Sequence, residues 1–153
     1  SDHRRQRQMC IRDSSYSDLD QITRIEKETN EYPWSLNNFE SSLDAGNSSI
    51  VLKDRKNIIG YAFFSVIGTD SHLLNITISE DYQGKGFGKK ILKKVLLQSK
   101  VLGATIVFLE VRVSNFRAIS FYEKFGFKRD AIRYNYYAGS PKEDALLMSK
   151  QGL

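Results

Sequence analysis

A glycine-rich segment in the middle of the chain has the composition of an anion-binding loop. It reads Gln83-Gly84-Lys85-Gly86-Phe87-Gly88, and its alternate glycines let backbone N–H groups approach a ligand without interference from Cβ atoms. A strand before the loop and a helix beginning within it would aim unpaired N–H groups and the positive end of the helix dipole at the anion. The alternative interpretation is a flexible glycine turn beside a solvated lysine face.

The charges around this loop favour a phosphate ligand. Lys85 and Lys89 fall at the predicted first helical turn, where a cation is unfavourable by roughly a few tenths of a kcal/mol unless a counter-charge is present. A bound phosphate would supply that charge. The loop lacks the Gly-Lys-Ser/Thr ending of a Walker-type P-loop, and it lies too far along the chain for the first turn of a dinucleotide-binding fold.

Two side chains downstream have the chemistry of a general base and a general acid. Glu110 follows an apolar, β-branched run, where a carboxylate is unusual unless it is used. A polar strand end or a partner for Arg112 is the alternative. Tyr122 lies seven residues after Asn115, two helical turns along the same face. Tyr122 is alternatively a core tyrosine, and Asn115 is alternatively only a helix N-cap.

The elements that would position these residues form one mixed α/β domain. Hydrophobic periodicity predicts the order β-α-α-β-β-β-α-β-α-β-β. The glycine loop opens the third predicted helix, over 86–102. Glu110 lies in a central buried strand over 105–113, and Asn115 begins the fourth helix.

Two local patterns concern the elements around the glycine loop and the first helix. Ser17 and Asp20 have capping-box spacing at the start of the first helix. The strand predicted over 72–79 places three apolar side chains on one face, those of Leu74, Ile76 and Ile78.

Length and composition are those of one compact domain. The chain has 153 residues, of which 41% are hydrophobic and 27% charged. We expect the domain to span residues 9–150, behind a disordered basic lead-in over 1–8. A single cysteine, Cys10, and two histidines predict no internal disulfide and no metal site. The absence of a membrane-spanning apolar run and of a signal-peptide pattern leads us to expect a cytoplasmic protein.

The positive charge is concentrated in one segment. Residues 82–103 include six lysines and no acid, although the whole chain has a net charge of only +5. A nucleic-acid-binding protein usually presents a broader basic footprint. We therefore expect neither a nucleic acid nor a membrane as a partner, and we expect a monomer or a weak dimer.

The glycine loop and the segment 115–127 together resemble the two sequence motifs of the GNAT N-acetyltransferase superfamily, in the right order and spacing. Further segments resemble its bacterial ribosomal-protein-alanine N-acetyltransferase branch. These are Tyr32-Pro33-Trp34-Ser35, Asn75-Ile76-Thr77-Ile78, the run 109–115, Arg133-x-Asn135-Tyr136-Tyr137 and Glu143-Asp144-Ala145. The resemblance covers about residues 9–150. Thr77 departs from the branch, which often has alanine there, and we expect little effect of this difference.

The resemblance implies a fold, a cosubstrate and a set of site residues. The fold is a mixed, mostly antiparallel sheet of about six or seven strands flanked by about four helices. Glu110 would act as the base and Tyr122 as the acid, and acetyl-CoA would be the acyl donor. The residues implied for acetyl-CoA are Ile76, Thr77, Ile78, Gln83, Gly84, Lys85, Gly86, Phe87, Gly88, Lys89 and Asn115. The aromatic residues Tyr32, Trp34, Tyr136 and Tyr137 either line the acceptor groove or are ordinary packing residues.

The implied reaction is acetyl transfer to a protein N-terminus, specifically the N-terminal alanine of a small-subunit ribosomal protein, number eighteen. An α-amine has a reference pKa of about 7.7–8.0, against about 10.4 for lysine, so it is the easier nucleophile. Two alternatives remain. The first is an acetyltransferase that acts on a lysine, a polyamine or a small-molecule amine, and the second is a CoA-binding module without catalytic activity.

Overall fold

The computed structural model describes residues 9–153, and its elements follow the predicted order. The predicted lead-in over 1–8 lies outside the described residues. The helices are α1 Leu19–Thr29, α2 Leu36–Asp44, α3 Phe87–Val101 and α4 Phe116–Phe125. The strands are β1 Met9–Asp13, β2 Ser48–Asp54, β3 Asn57–Ile67, β4 Asp70–Ile78, β5 Ile106–Arg112, β6 Lys128–Tyr137 and β7 Glu143–Gln151. Short 3-10 helices cover Tyr16–Asp18 and Glu80–Tyr82.

The seven strands form one sheet in the order β1-β2-β3-β4-β5-β7-β6. β1 with β2, β2 with β3, β5 with β7 and β6 with β7 pair antiparallel, whereas β4 and β5 pair parallel. This mixed, mostly antiparallel sheet with four helices confirms the predicted fold class. β5, which carries Glu110, lies between β4 and β7, as predicted for a central strand.

The chain divides into two compact units. Of the described residues, the first comprises those up to Ser65 together with Asn75–Val95, and the second comprises Val66–Leu74 and Leu96–Leu153. Helical spacing on α1 and α2 turns their apolar side chains into the core of the first unit, and β2 and β3, which are buried over most of their length, contribute one face to it. That core contains Leu19, Ile22, Ile25, Phe39, Val51, Ile58, Tyr61 and Phe63, with Trp34 and Leu43 packed against it.

The second unit is built on β5 and β7, and β5 alternates buried and more exposed residues. β5 has the burial expected for a strand with one face on the core, and Glu110 is the residue on it that faces solvent most. α4 contributes its own buried face to this unit. The buried residues are Val107, Leu109, Val111, Ile119, Tyr122, Phe127, Ala145, Leu146 and Met148.

The start of α1 differs from the prediction. The predicted capping box of Ser17 with Asp20 is wrong, because the capping box lies at the preceding 3-10 helix Tyr16–Asp18, where Asp18 Oδ2 accepts the backbone N–H of Ser15 at 2.9 Å. Both Asp18 oxygens also accept from the guanidinium of Arg12 at 2.8 Å. The contact with Arg12 on β1 therefore holds the Asp18 carboxylate just before α1.

The side chains of β4 are also buried differently from the apolar pattern. Leu74 is 41% exposed, and Ile76 and Ile78 are only half-buried. Leu73 and Thr77 on the opposite face are buried. The more polar face of this strand is therefore the one that faces inward.

Between residues 9 and 153, no helix is both long enough and apolar enough to cross a membrane. Cys10 is a free, exposed thiol, and His72 stacks on Phe108 with 5.3 Å between the ring centroids.

Candidate active site

The glycine-rich loop joins the end of β4 to the start of α3. Gln83 Nε2 donates a hydrogen bond to the backbone oxygen of Ile78 at 2.9 Å, which ties the loop to the strand. Gly84 and Gly86 have φ angles of 74° and 87°, in the left-handed region that residues with a Cβ atom rarely adopt. Apart from chain neighbours, no heavy atom of the described residues lies within 4 Å of a Cβ built at either glycine. Backbone conformation therefore requires these glycines, and the space above them is open.

The start of α3 is positively charged. Its first turn includes no acidic residue, and Lys85 and Lys89 are exposed there. The first N–H groups of a helix have no acceptor within the helix, and the dipole adds positive potential. Phe87 and Gly88 are half-buried, with the Phe87 ring centroid 6.1 Å from that of Tyr82. This combination of donors, charge and open backbone suits a diphosphate anion.

The segment Ile76–Ile78 lies beyond the part of β4 that pairs with β5, which is Asp70–Leu73. Its two isoleucines are half-buried, and Thr77 is 4% exposed. Thr77 Oγ1 donates to Asn75 Oδ1 at 2.9 Å and accepts from Asn30 Nδ2 at 3.0 Å. The residue that departs from the branch is therefore part of a buried hydrogen-bonded cluster.

Glu110 is in close proximity to both tyrosines predicted at the end of β6. Its side chain is 33% exposed, and Arg133 Nη1 lies 3.9 Å from its Oε1. A side-chain hydrogen bond with Glu110 raises the pKa of Tyr136, and burial adds to the effect. Burial, followed by the charge of Glu110, raises the pKa of Tyr137 to about 12. The second unit thus brings together Glu110, Tyr136 and Tyr137, with Arg133 beside them.

Arg112, considered above as a partner for Glu110, forms an ion pair with Glu143 at 3.2 Å. Its guanidinium carbon lies 4.1 Å from the ring centroid of Tyr137. Glu143 Oε2 also accepts the backbone N–H of Ser114 at 3.1 Å. Hydrogen bonds from Ser114, and then from Arg112, hold the pKa of Glu143 below its usual value. These contacts tie the β6–β7 hairpin to the loop before α4.

Tyr122 is 8% exposed on α4. Its ring packs against those of Phe121 and Phe127, with centroids 5.4 Å and 5.6 Å apart. Burial raises the pKa of Tyr122, and the neighbouring Tyr137 hydroxyl contributes. The phenol therefore keeps its proton at neutral pH, and the residue also serves the core, as the alternative interpretation holds.

Asn115 is the N-cap of α4, because its Oδ1 accepts the backbone N–H of Ala118 at 3.2 Å. The N-cap interpretation is confirmed, and the cofactor contact implied by the resemblance stays a prediction. The helix ends at Gly126, whose φ angle is 107°.

Tyr32 and Trp34 lie between α1 and α2 in the first unit, whereas Tyr136 and Tyr137 belong to the second. Tyr32 is 55% exposed. Trp34 is half-buried and contacts the first unit's core, with ring centroids 5.1 Å from Phe39 and 5.9 Å from Phe63. For Trp34 the packing interpretation is therefore correct, and a ligand role would add to it.

Sequence reasoning assigned no individual role to three residues whose contacts the structure reveals. Glu26 is a buried carboxylate on the apolar side of α1, and a charge next to Ile25 on that face was the available signal. Arg133 and Glu143 acquire their partners through strand pairing, which no local pattern reveals. Within residues 9–153, no group of three or more His, Cys, Asp or Glu side chains is placed to hold a metal ion.

Comparison with known proteins gives consistent matches. The family model described as "Acetyltransferase (GNAT) family" matches residues 15–127. The chain is 32% identical over 134 residues to the [Ribosomal protein bS18]-alanine N-acetyltransferase of Escherichia coli K12, covering 87% of this chain and 90% of that one. It is 35% identical over 134 residues to the Haemophilus influenzae protein of the same name, covering 86% and 91%.

A solved structure extends the similarity to three dimensions. The crystal structure of the ribosomal-protein-S18-alanine N-acetyltransferase from Escherichia coli superposes with a TM-score of 0.86 at 30% identity. The match covers 94% of this chain and 93% of that one, so the similarity includes both units described above.

Proposed function

This chain belongs to the acetyltransferase (GNAT) family, and we propose that it transfers the acetyl group of acetyl-CoA to the α-amine of the N-terminal alanine of ribosomal protein bS18. The observation that carries this acceptor is the 32% and 35% identity, over most of each chain, to enzymes of that name. The proposal locates the reaction in the cytoplasm, where ribosomal proteins are made.

The glycine loop would hold the diphosphate of acetyl-CoA. The left-handed Gly84 and Gly86, the open space above them and the acid-free first turn of α3 support this assignment. Backbone groups of Ile76–Ile78 would bind the pantetheine arm, and an N–H there would stabilise negative charge that develops on the acyl oxygen. Bound acetyl-CoA supplies an acyl group activated as a thioester. The loop residues assigned to the diphosphate are Gln83, Gly84, Lys85, Gly86, Phe87, Gly88 and Lys89, and Asn115 would also contact acetyl-CoA.

Glu110 would take a proton from the acceptor amine, directly or through a water molecule. Its partial exposure allows an amine to approach, and Arg133 and Tyr136 lie beside its carboxylate. An α-amine needs only a modest base near neutral pH, because its reference pKa is about 7.7–8.0. A lysine side chain would need about 3.4 kcal/mol of deprotonation free energy in addition to this.

Tyr122 would donate a hydrogen bond and a proton to the departing sulfur. Its burial keeps the phenol protonated, so the donor is present throughout the working pH range. We assign Tyr32, Trp34, Tyr136 and Tyr137 to the acceptor peptide, and the exposure of Tyr32 and Tyr136 supports this assignment.

The decisive experiment offers the enzyme two synthetic peptides with [14C]acetyl-CoA. One begins with a free alanine and follows the bS18 sequence, and the other has the same sequence with an acetylated N-terminus and an added lysine. We expect label only in the first peptide. Transfer to the lysine of the blocked peptide would favour the alternative acceptor. Binding of acetyl-CoA without transfer to either peptide or to polyamines would favour a non-catalytic module.

The same assay tests the assigned catalytic roles. We expect Glu110→Gln and Tyr122→Phe each to lower kcat by about a hundredfold, the usual contribution of a general base or acid. Unchanged turnover in both variants would contradict the mechanism while leaving the acceptor assignment intact.

A further inference from the structure

Glu26 is a buried carboxylate at the centre of a hydrogen-bond cluster in the first unit. Glu26 is only 2% exposed, although it is an acidic residue, and it lies on α1 beside the hydrophobic core. A buried carboxylate is tolerated only when its oxygens are hydrogen-bonded. Here both oxygens accept bonds, and the donors come from different segments of the chain.

The two oxygens of Glu26 have separate partners. Oε1 accepts from the Tyr61 hydroxyl at 2.6 Å, from Asn30 Nδ2 at 2.8 Å and from Asn75 Nδ2 at 3.1 Å. Oε2 accepts the backbone N–H of Trp34 at 3.0 Å. Oε1 therefore bonds to β3, to β4 and to Asn30 at the start of the segment between α1 and α2, whereas Oε2 bonds to the Trp34 backbone near the end of that segment.

The segments joined by this carboxylate are those assigned to the two substrates. Residues 30–34, here called the acceptor loop, include Tyr32 and Trp34. Asn75 and Thr77 flank Ile76 on the β4 segment assigned to the pantetheine arm, and Thr77 Oγ1 lies 3.4 Å from Glu26 Oε1. An apolar residue of similar volume would usually stabilise a buried position as well as or better than a charge. A role in function explains a carboxylate here better than stability does.

We propose that Glu26 is a positioning residue for the acceptor peptide. Its Oε2 fixes the backbone of the acceptor loop at Trp34 so that Tyr32 and Trp34 meet the peptide, while Oε1 holds the loop to β4. This inference rests on the proposed function in one respect, the assignment of residues 30–34 to the acceptor.

The variant Glu26→Gln separates the two oxygens. A glutamine has one carbonyl oxygen and one NH2 group, and the NH2 group cannot accept a hydrogen bond. If the NH2 group takes the place of Oε1, it faces three hydrogen-bond donors. If it takes the place of Oε2, it faces only the N–H of Trp34. The second arrangement is less unfavourable, so the variant keeps the bonds at Oε1, from Asn30, Tyr61 and Asn75, and loses the bond at Oε2 from the Trp34 backbone.

We therefore expect Glu26→Gln to raise the KM for the alanine peptide by about tenfold, as expected for one lost buried hydrogen bond. The KM for acetyl-CoA and kcat should change less than about twofold. The matched control is Tyr61→Phe, which removes one donor to Oε1 and leaves Trp34 bound to Oε2. Tyr61→Phe should leave the KM for the peptide and the KM for acetyl-CoA unchanged, even if this variant has a lower Tm.

A second variant covers the case in which Glu26→Gln fails to fold. Asn30 is half-buried at the start of the acceptor loop and donates to Glu26 and Thr77. Asn30→Ala should also raise the peptide KM and leave the KM for acetyl-CoA unchanged. All rates are compared at a temperature at which every variant is folded by circular dichroism.

Trp34 provides a readout that does not depend on activity, because it is the chain's single tryptophan. Acrylamide quenching of its fluorescence should increase in Glu26→Gln and stay at the wild-type level in Tyr61→Phe. An unchanged peptide KM in Glu26→Gln and Asn30→Ala would overturn the inference, as would a parallel rise in both KM values. If the wild-type enzyme acetylates no peptide, the proposed function fails, and unchanged quenching in Glu26→Gln would then refute the loop-holding role separately.

Discussion

The side chain of Glu110 is one-third exposed, whereas Tyr122 is almost completely buried. A base that receives a proton from an incoming amine must be reachable and must have an outlet for that proton. An acid that protonates a leaving thiolate must hold its proton until the bond breaks, and burial of Tyr122 ensures this by raising its pKa. The two environments therefore match the two roles assigned to these residues.

At the residue scale, the activity of Glu110→Gln should recover with rising pH. At pH 7 most of the α-amine is protonated, so the loss of the base should lower kcat/KM by about a hundredfold. Above about pH 9 the amine is largely neutral without assistance, and the deficit should shrink to about tenfold. Initial rates measured from pH 6.5 to 9.5 test this, and a deficit independent of pH would assign Glu110 to a role other than the base.

Tyr122→Phe should separate chemistry from stability. The phenylalanine ring keeps the contacts with Phe121 and Phe127, so Tm should change little, while kcat falls about a hundredfold. The control is Tyr134→Phe, a change of the same size on β6 at a side chain that is 74% exposed. Equal kcat values for the two variants would remove Tyr122 from the mechanism.

Sequence alone could propose Glu110 from its place in an apolar strand, whereas the roles proposed for Tyr122 and Asn115 come from the resemblance to the family. The sequence could not identify the environment of Glu26, whose partners Tyr61, Asn75 and Thr77 are 35 to 51 residues away in the chain. The same distance hides the hydrogen bonds of Thr77, and the expectation that this residue has little effect stays a prediction. A threonine in a strand looks interchangeable with alanine until the carboxylate and amides beside it are known.

At the element scale, the glycine loop should be the most specific determinant of acetyl-CoA binding. Gly86→Ala forces a Cβ into a left-handed conformation, which destabilises the fold by about 1–2 kcal/mol and displaces N–H donors. We expect its Kd for acetyl-CoA, measured by calorimetry, to rise at least about tenfold.

Gly46→Ala is the matched control for this prediction. Gly46 has a φ angle of 81° between α2 and β2, and a Cβ there also has no neighbour within 4 Å in the described residues. It should lower stability by a similar amount and leave the Kd for acetyl-CoA unchanged. If the two variants bind acetyl-CoA equally well, the loop backbone does not hold the diphosphate.

The order of elements was predictable because turns, caps and periodicity are local. The inward face of β4 was not predictable in this way. The alternation of its sequence indicated that Leu74, Ile76 and Ile78, rather than the polar residues between them, would face the core. Those polar residues are buried because they have partners: Ser71 Oγ lies 2.8 Å from Ser99 Oγ, and Thr77 joins the Glu26 cluster. The hydrophobic pattern of a strand predicts its buried face correctly only when its polar residues have no hydrogen-bond partner from a distant part of the chain.

For the whole molecule, the net charge of +5 is carried mainly by the segment 82–103, around the loop assigned to the diphosphate. Its six lysines would repel one another less when an anionic ligand is bound. Lys85 and Lys89 lie at the loop itself, so their charge is the part that the proposed anionic cosubstrate would explain.

The stability of the whole chain should fall on acidification, through carboxylates on both units. The pKa of Asp18 is lowered chiefly by its hydrogen bonds with Arg12, that of Glu123 by Arg129, and that of Glu143 by Ser114. Each group binds its proton less tightly folded than unfolded. Each therefore stabilises the fold above its unfolded pKa, and that contribution is lost as the pH falls through the folded value.

We expect the free energy of unfolding, from urea titrations, to be nearly constant from about pH 7 to 5 and to fall steeply below about pH 4. Asp18→Asn should lower it by about 2 kcal/mol at pH 7, the range for hydrogen bonds to charged groups, and should flatten the acid slope. Arg12→Ala should do the same, and the double variant should lose little more, since both remove one interaction. If the free energy of unfolding of Asp18→Asn falls with acidification as steeply as that of the wild type, the carboxylate at the start of α1 contributes nothing to the pH dependence. If the destabilisation by the two single variants adds up in the double variant, Arg12 and Asp18 act independently.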